Sequence, residues 1–242
     1  MKHDVIIGDC LDVLAQYPDN HFDLVITDPP YGIGENGKHH KTRGHPKQYI
    51  ADNSKNWHSS QKGVKSVEYG EFSWDSKLSK ECIDEIRRVS KNQIIFGGNY
   101  YADWLPPSSC WIVWNKKNGA NDFADCELAW TSFKSATRLF EYRWHGMLQE
   151  DMKNKEPRVY PTQKPIALYK WLLEKYATPD SKVCDPFCGS GTIFAASNQL
   201  TEMNFEVTGI DKNAGALPVI QERGGFNKTT LGTFLTEVLT DG

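Results

Sequence analysis

Apolar residues in this chain come in short bursts, each closed by glycine, proline or an acid. That is the pattern of buried strands separated by turns. Val5-Ile6-Ile7 ends at Gly8-Asp9-Cys10, and Phe22-Asp23-Leu24-Val25-Ile26 ends at Thr27-Asp28-Pro29-Pro30-Tyr31-Gly32. Between them Leu11, Val13 and Leu14 predict a short helix that stops near Pro18. Leu78, Cys82, Ile83, Ile86 and Val89 recur at helical spacing and predict an amphipathic helix over 77–90. Strands follow at Gln93-Ile94-Ile95-Phe96, closed by Gly97-Gly98-Asn99, at Cys110–Trp114 and at Cys126–Thr131. Pro165 suits the first turn of a helix with Leu168, Trp171, Leu172 and Tyr176 along one face, broken at Pro179-Asp180. Val183-Cys184 then runs into Asp185-Pro186-Phe187-Cys188-Gly189-Ser190-Gly191-Thr192, a helix over 193–200 and a strand over 205–210 that ends at Asp211. Gly215, Pro218, Gly224 and Gly225 predict weak order in the last ~30 residues. There is no internal repeat.

Two stretches break the pattern. Residues 33–74 are polar, dense in Gly, Lys, His, Asn and Ser, and without clear periodicity. A loop this long inside one domain is unusual unless it serves a purpose or is disordered. Within it, residues 35–72 hold seven Lys/Arg against four acids and four of the seven histidines. The whole chain has a net charge of −3, so a basic patch sits on an acidic body. That favours a clamp on a polyanion over a bare solvated insertion. Residues 133–160 interleave rings (Phe133, Phe140, Tyr142, Trp144) with cations (Lys134, Arg138, Arg143, Lys153, Lys155, Arg158). Such a segment either stacks bases and neutralises phosphates or is an ordinary edge hairpin.

Composition narrows the class. At 242 residues and 39% hydrophobic, the chain is expected to form a single domain with a proper core. No apolar run approaches the ~20 residues of a membrane span, and the N-terminus has no signal-peptide core. The six cysteines are dispersed, with no histidine near Cys184 and Cys188. Reduced thiols in a cytoplasmic protein are expected, and no metal site.

The chemistry-bearing residues form two groups. Asp28 ends a β-branched run and is followed by two prolines, which cannot extend a ladder and stiffen the backbone around the carboxylate. Prolines keep their carbonyls but lack N–H, so this corner suits a ligand that brings donors, such as an amino group. The second group is a strand, a Gly-rich turn, a helix, a strand and an acid over 183–211, the layout of a nucleotide-binding βαβ unit. Asp211 follows Gly191 by 20 residues, where an acid takes the hydroxyls of a ribose. A P-loop would need Gly-Lys-Ser/Thr, and the dinucleotide fingerprint lacks its third glycine because Phe194 stands there. A nucleoside site remains.

Together, Asp28-Pro29-Pro30-Tyr31 and Asp185-Pro186-Phe187-Cys188-Gly189-Ser190-Gly191 resemble the amino-group DNA methyltransferases that use S-adenosylmethionine. The catalytic motif precedes the cofactor motif, as in the permuted β group of that family. The resemblance spans roughly residues 4–213, with Tyr160 standing where the family often has His. It implies an α/β fold with a doubly wound, mostly parallel sheet and both motifs at carboxyl ends of adjacent strands. It implies S-adenosyl-L-methionine as cofactor, held by Asp9, Cys10, Asp28, Thr162, Lys164, Asp185, Phe187, Gly189, Ser190, Gly191, Thr192 and Asp211. The Asp28 carboxylate and the Pro29 carbonyl would accept the N–H groups of an exocyclic amine, Pro30 would stiffen the corner, and Tyr31 would stack on a flipped base. The methyl acceptor implied is N6 of adenine in double-stranded DNA, since cytosine members more often carry Ser in place of Asp28. Lys38, Lys41, Arg43, Lys47, Arg138 and Arg143 are expected to meet DNA. N4 of cytosine, RNA, and an inactive DNA-binding relative are the competing readings; a nicotinamide dehydrogenase is a distant further one. A covalent cysteine route is set aside because Cys184 and Cys188 lie in the cofactor turn. The resemblance leaves room for a homodimer and for a cognate restriction endonuclease as partners.

Overall fold

In the computed structural model, which describes residues 1–32, 77–118, 124–145, 148–159 and 162–225, the apolar bursts become the strands of one large sheet. The strands are β1 (Lys2–Ile7), β2 (Phe22–Thr27), β3 (Ser90–Phe96), β4 (Trp111–Asn115), β5 (Cys126–Thr131), β6 (Arg138–Glu141), β7 (Trp144–His145), β8 (Leu148–Gln149), β9 (Lys182–Asp185) and β10 (Glu206–Asp211). The helices are α1 (Cys10–Leu14), α2 (Lys80–Arg88), α3 (Ile166–Tyr176), α4 (Thr192–Ser197) and α5 (Leu217–Gly224). Eight strands pair in the order β1-β10-β9-β2-β3-β5-β4-β6, and β7 pairs with β8 in a small hairpin. From β1 to β3 all neighbours are parallel; β5 alone runs antiparallel to both its neighbours, and β6 is parallel to β4.

The alternation along the central strands explains the two helical layers. Leu24 and Ile26 of β2, with Ile94 and Phe96 of β3, pack with Leu168, Leu172, Ile193 and Ile220 on one face. Val25 and Ile95 point the other way, into a cluster with Val13, Leu14, Ile83 and Ile86. Period-2 side-chain direction makes a strand apolar on both faces when helices cover both. No helix among the described residues is long and apolar enough to cross a membrane.

Local signals place the helix ends. Asp9 caps α1 by accepting the Leu11 N–H at 2.9 Å, and Ser79 caps α2 through the Cys82 N–H at 3.3 Å. Arg88 closes α2 and reaches the carbonyls of Leu14 and Tyr17, tying it to the end of α1. Pro165 sits at the N-cap of α3 rather than inside its first turn, and the free N–H of Ile166 is taken by Glu156 at 2.9 Å.

Chain order reverses between β9 and β2. The path from β9 moves outward through β10, while the path from β2 moves the opposite way through β3. That gap is the switch point at which open α/β sheets bind ligands. The last ~30 residues, expected to be weakly ordered, form α5 in their described part, and residues 226–242 lie outside the described residues. Ile220 is fully buried against Gly191, and Gly225 ends the helix in the left-handed conformation. Gly225, one of the glycines that read as disorder, is here a C-cap, while Gly191 of the turn is the close-packing position that receives α5. The 33–74 insertion lies outside the described residues.

Gly191 combines a φ of +72° with an ideal Cβ position 3.1 Å from the Ile220 Cα. Gly191→Ala is expected to cost about 1–2 kcal/mol and to lower the Tm by about 3–6 °C. Thermal unfolding of the ligand-free protein checks this; an unchanged Tm would mean that α5 does not press on the turn.

Candidate active site

The carboxyl edge of the parallel strands gathers four acids: Asp9 after β1, Asp28 after β2, Asp185 ending β9 and Asp211 ending β10. Their strands are neighbours in the sheet, so residues far apart in sequence converge. Asp9 is exposed and spends one oxygen on its own helix cap. Cys10 is buried with its Sγ 3.1 Å from that of Cys82. The Gly8 N–H donates to the Asp211 carbonyl at 3.0 Å, joining the first strand end to the last.

Asp28 is enclosed by donors supplied from the fold. Its Oδ1 accepts the Tyr31 hydroxyl, and its Oδ2 lies 2.5 Å from Lys164 Nζ. Burial pushes the Asp28 carboxyl above its ordinary pKa, against the pull of the Lys164 charge. The Lys164 side chain is only 6% exposed, and its ammonium also stands 3.1 Å from Glu127 Oε2 and 4.8 Å from the Phe96 ring centroid. Burial disfavours that ammonium, but Asp28 and then Glu127 outweigh it and hold its pKa above the ordinary lysine value. Glu127 behaves oppositely to Asp28. Burial pushes it up, yet Lys164 and Lys116 together bring it down to about 2. The difference has a simple cause: Glu127 has a second cation in Lys116, which pairs with its Oε1.

The aromatic surroundings differ from expectation. The Tyr31 ring lies against Gly97, where a Cβ would come 2.1 Å from Tyr31 Cε1, and stacks on Tyr100 at 5.0 Å and 20°. Tyr100 is 40% exposed and forms the outer ring of the pair. Pro29 is buried, and the Pro30 carbonyl accepts the Tyr101 hydroxyl at 2.5 Å, so one acceptor of this corner is already used.

The glycine turn is held from three sides. Asp185 Oδ1 accepts the Phe187 N–H at 3.1 Å, and Asp211 accepts the N–H groups of Gly189 and Asn213 at 2.9 and 2.8 Å. Gly189 and Gly191 have φ of +47° and +72°, which bends the backbone sharply at the strand end. Ser190 receives Arg223 of α5 on both its carbonyl (2.8 Å) and its hydroxyl (2.7 Å), and Arg223 pairs with Glu156 at 2.5 Å. Thr192 donates to the Lys164 carbonyl at 3.3 Å, linking the turn to the Asp28 corner. Burial, with the charges of Asp28 and Asp211, pushes the Asp185 carboxyl up to about 7. Phe187 is half-buried, whereas Thr162 is exposed.

Several anticipated residues stand elsewhere. Arg138 and Arg143 are exposed, on and just after β6, which lies four strand positions from β2, roughly 19 Å at the usual interstrand spacing. The rings of their segment turn inward: Phe140 packs on Trp171, Phe133 on Tyr176, and the Trp144 indole donates to the Gln163 carbonyl. Those rings pack against the core, while Arg138 and Arg143 stay exposed. Lys38, Lys41, Arg43 and Lys47 lie outside the described residues. Sequence reasoning missed Glu127, Tyr100 and the Arg223–Glu156 pair. An acid inside the apolar strand Cys126-Glu127-Leu128-Ala129-Trp130 was the one available signal.

Comparison with known proteins agrees with this geometry. The model of the N6/N4 methyltransferase family, described as DNA methylase, matches residues 22–222. The Type II methyltransferase M.HinfI of Haemophilus influenzae is 25% identical over 90% of this chain and 67% of its own length. The Type II methyltransferase M2.MboI of Moraxella bovis is 20% identical over 76% of this chain and 75% of its own. Among solved structures, the M1.HpyAVI–SAM complex superposes with a TM-score of 0.52 at 16% identity, covering 93% of this chain and 100% of that one. PvuII DNA methyltransferase (cytosine-N4-specific) gives 0.57 at 14% identity, covering 94% and 88%. These likenesses establish the fold.

Asp185 predicts a pH signature. Its folded pKa of about 7 lies above the unfolded carboxylate value, so the folded state binds more protons between about pH 4 and 7. Stability contributed by this group is therefore lost as pH rises through that window. Asp185→Asn should stabilise the ligand-free protein at pH 8, on the order of 4 kcal/mol at most, with the gain shrinking toward pH 5. Tm values at both pH values check it; an equal offset at the two would show that Asp185 does not titrate there.

Proposed function

This chain belongs to the N6/N4 family of DNA methylases, and on that premise we propose that it methylates the exocyclic N6 amine of adenine in DNA. The observation that carries the reading is the adjacency of β2 and β9. Asp28 and the Asp185–Gly191 turn sit at parallel carboxyl ends on either side of the switch point. An amine acceptor and a nucleoside turn side by side are what transfer between two ligands requires.

The residues fit S-adenosylmethionine, the family's methyl donor. Asp28, Asp185 and Asp211 crowd one edge, and burial, with the repulsion of Asp28 and Asp211, raises Asp185. A ligand bearing positive charge relieves that repulsion. Asp211, Asp185, Phe187 and the backbone of Gly189–Gly191 would hold it, with Asp9 and Cys10 at the next strand end. When bound, the cofactor supplies an electrophilic methyl group on a sulfonium.

The protein's part is positioning and electrostatics. An exocyclic amine conjugated to a base ring is a weak nucleophile, because its lone pair is delocalised. Asp28 and the Pro29 carbonyl each accept an N–H, which draws the nitrogen toward sp³ geometry and frees its lone pair. Pro29 and Pro30 keep these acceptors from drifting. Tyr31 and Tyr100 offer stacked rings beside them for a base taken out of the duplex, an extrusion that costs a few kcal/mol. Asp28 acts as a hydrogen-bond acceptor, neither a metal ligand nor a nucleophile. Adenine is favoured over cytosine because cytosine members of the family more often carry Ser at the position of Asp28. The basic residues of the 33–74 insertion, with Arg138 and Arg143, would neutralise phosphates.

The test incubates the protein with labelled S-adenosylmethionine and unmethylated DNA and identifies the modified nucleoside. N6-methyl-2′-deoxyadenosine supports the proposal, and N4-methyl-2′-deoxycytidine replaces it with the cytosine reading. Asp28→Ala should reduce transfer by about 100-fold or more with cofactor binding largely retained; a variant that still turns over at the wild-type rate would refute the acceptor role. Replacing Lys38, Lys41 and Arg43 together should weaken DNA binding and flatten its log–log salt slope by up to about 3. An unchanged slope would remove the insertion from the DNA interface.

A further inference from the structure

Glu127 has no part in the chemistry described so far, yet it is wired directly to Asp28. The Lys164 ammonium stands between the two acids, 2.5 Å from Asp28 Oδ2 and 3.1 Å from Glu127 Oε2. The approaches are unequal. Asp28 holds the ammonium at the shorter distance, whereas Glu127 Oε2 meets it at the longer one and has no other partner among the described residues. Its other oxygen is pinned by Lys116, which keeps Oε2 aimed at Lys164.

In this arrangement both Asp28 oxygens are occupied, one by the Tyr31 hydroxyl and one by Lys164. Each oxygen can accept a second bond, but an incoming amine at bonding distance crowds the partner already there. Releasing a buried ammonium with no partner is strongly unfavourable, so Lys164 needs somewhere else to pair. We propose that Glu127 is a positioning residue, the second berth for the Lys164 ammonium, which it takes over when the amine of the target base claims Asp28. The proposal rests on the reading of Asp28 as the amine acceptor.

The surroundings allow that movement and limit it to the ammonium. The Lys164 carbonyl is held by the Thr192 hydroxyl, so the backbone stays in place while the side-chain tip swings. The Phe96 ring lies 4.8 Å from Nζ and stays beside it throughout so short a movement. Lys116 is itself 19% exposed and stays paired with the other Glu127 oxygen, so Glu127 has a cation beside it whichever acid Lys164 faces. Glu127 thus lets Asp28 exchange one partner for another without leaving a buried charge alone.

The experiment compares full-length wild type, Glu127→Gln, Lys164→Met and the double variant in single-turnover methyl transfer, with cofactor affinity by calorimetry and Tm alongside. Glu127→Gln keeps the shape and removes the charge. Its transfer rate should fall about 10- to 100-fold, with cofactor Kd within about threefold of wild type. In the Lys164→Met background the same change should cost nothing further, because Glu127 acts only through Lys164. If Glu127→Gln is poorly folded, Lys116→Met removes the anchor from a more exposed position and should slow the same step. A wild-type rate in the well-folded variant, a loss additive to that of Lys164→Met, or a loss that follows the Tm would overturn the proposal. Active wild type with an undiminished Glu127→Gln sinks this inference alone. Wild type that transfers no methyl group to DNA sinks the proposed function and this inference with it.

Discussion

The arrangement at the heart of this molecule is a buried ammonium between two buried carboxylates. Parallel strands that end side by side bring their terminal acids together, and here Asp28 and Asp185 end neighbouring strands. Carboxylates in a low-dielectric edge repel one another and resist ionisation unless cations or hydrogen bonds compensate them. Lys164 supplies that compensation for Asp28, and Lys116 extends it to Glu127. Asp185 has no cation and is left with its proton affinity raised to about 7. The edge is thus supplied with a cation beside Asp28 and with none beside the glycine turn among the described residues. That asymmetry is consistent with the proposed function, in which one side takes an amine and the other a cationic cofactor.

The second theme is how far the supports of the glycine turn lie from it in sequence. Arg223 comes from the last described helix, Glu156 from the segment before α3, and Asp211 from the end of the next strand. Glu156 does three jobs at once: it pairs with Arg223, accepts from Gln163 and caps α3 through Ile166. Because α3 begins just after Lys164, the network that shapes the glycine turn also sets the starting point of the lysine that reaches Asp28. The two motifs share one polar scaffold, although they are more than 150 residues apart.

Much of the fold was legible from the chain alone. Each strand of the parallel half was marked by an apolar burst and a sharp stop, because strands buried on both faces need continuous apolar residues and ladders cannot pass Pro-Pro or a tight glycine turn. The failures are equally physical. The glycines after Asp211 read as disorder because sequence does not reveal that Gly191 faces Ile220 or that Gly225 is a C-cap. The rings around Phe140 and Trp144 read equally well as a nucleic-acid surface, since the same residues serve either role until α3 is seen to cover them.

For the site, local sequence determined the acids, the prolines and the glycines, along with their order. Those features follow from backbone rules that act over a few residues. Only the tertiary structure decided that Lys164 turns to Asp28, that Glu127 shares it, that Tyr100 rather than Tyr31 forms the outer ring, and that Arg223 grips the turn. Each of these is a contact between a side chain and a partner on another element. Charge pairing in a buried edge depends on distances of a few ångströms, and those exist only once the strands have been laid side by side.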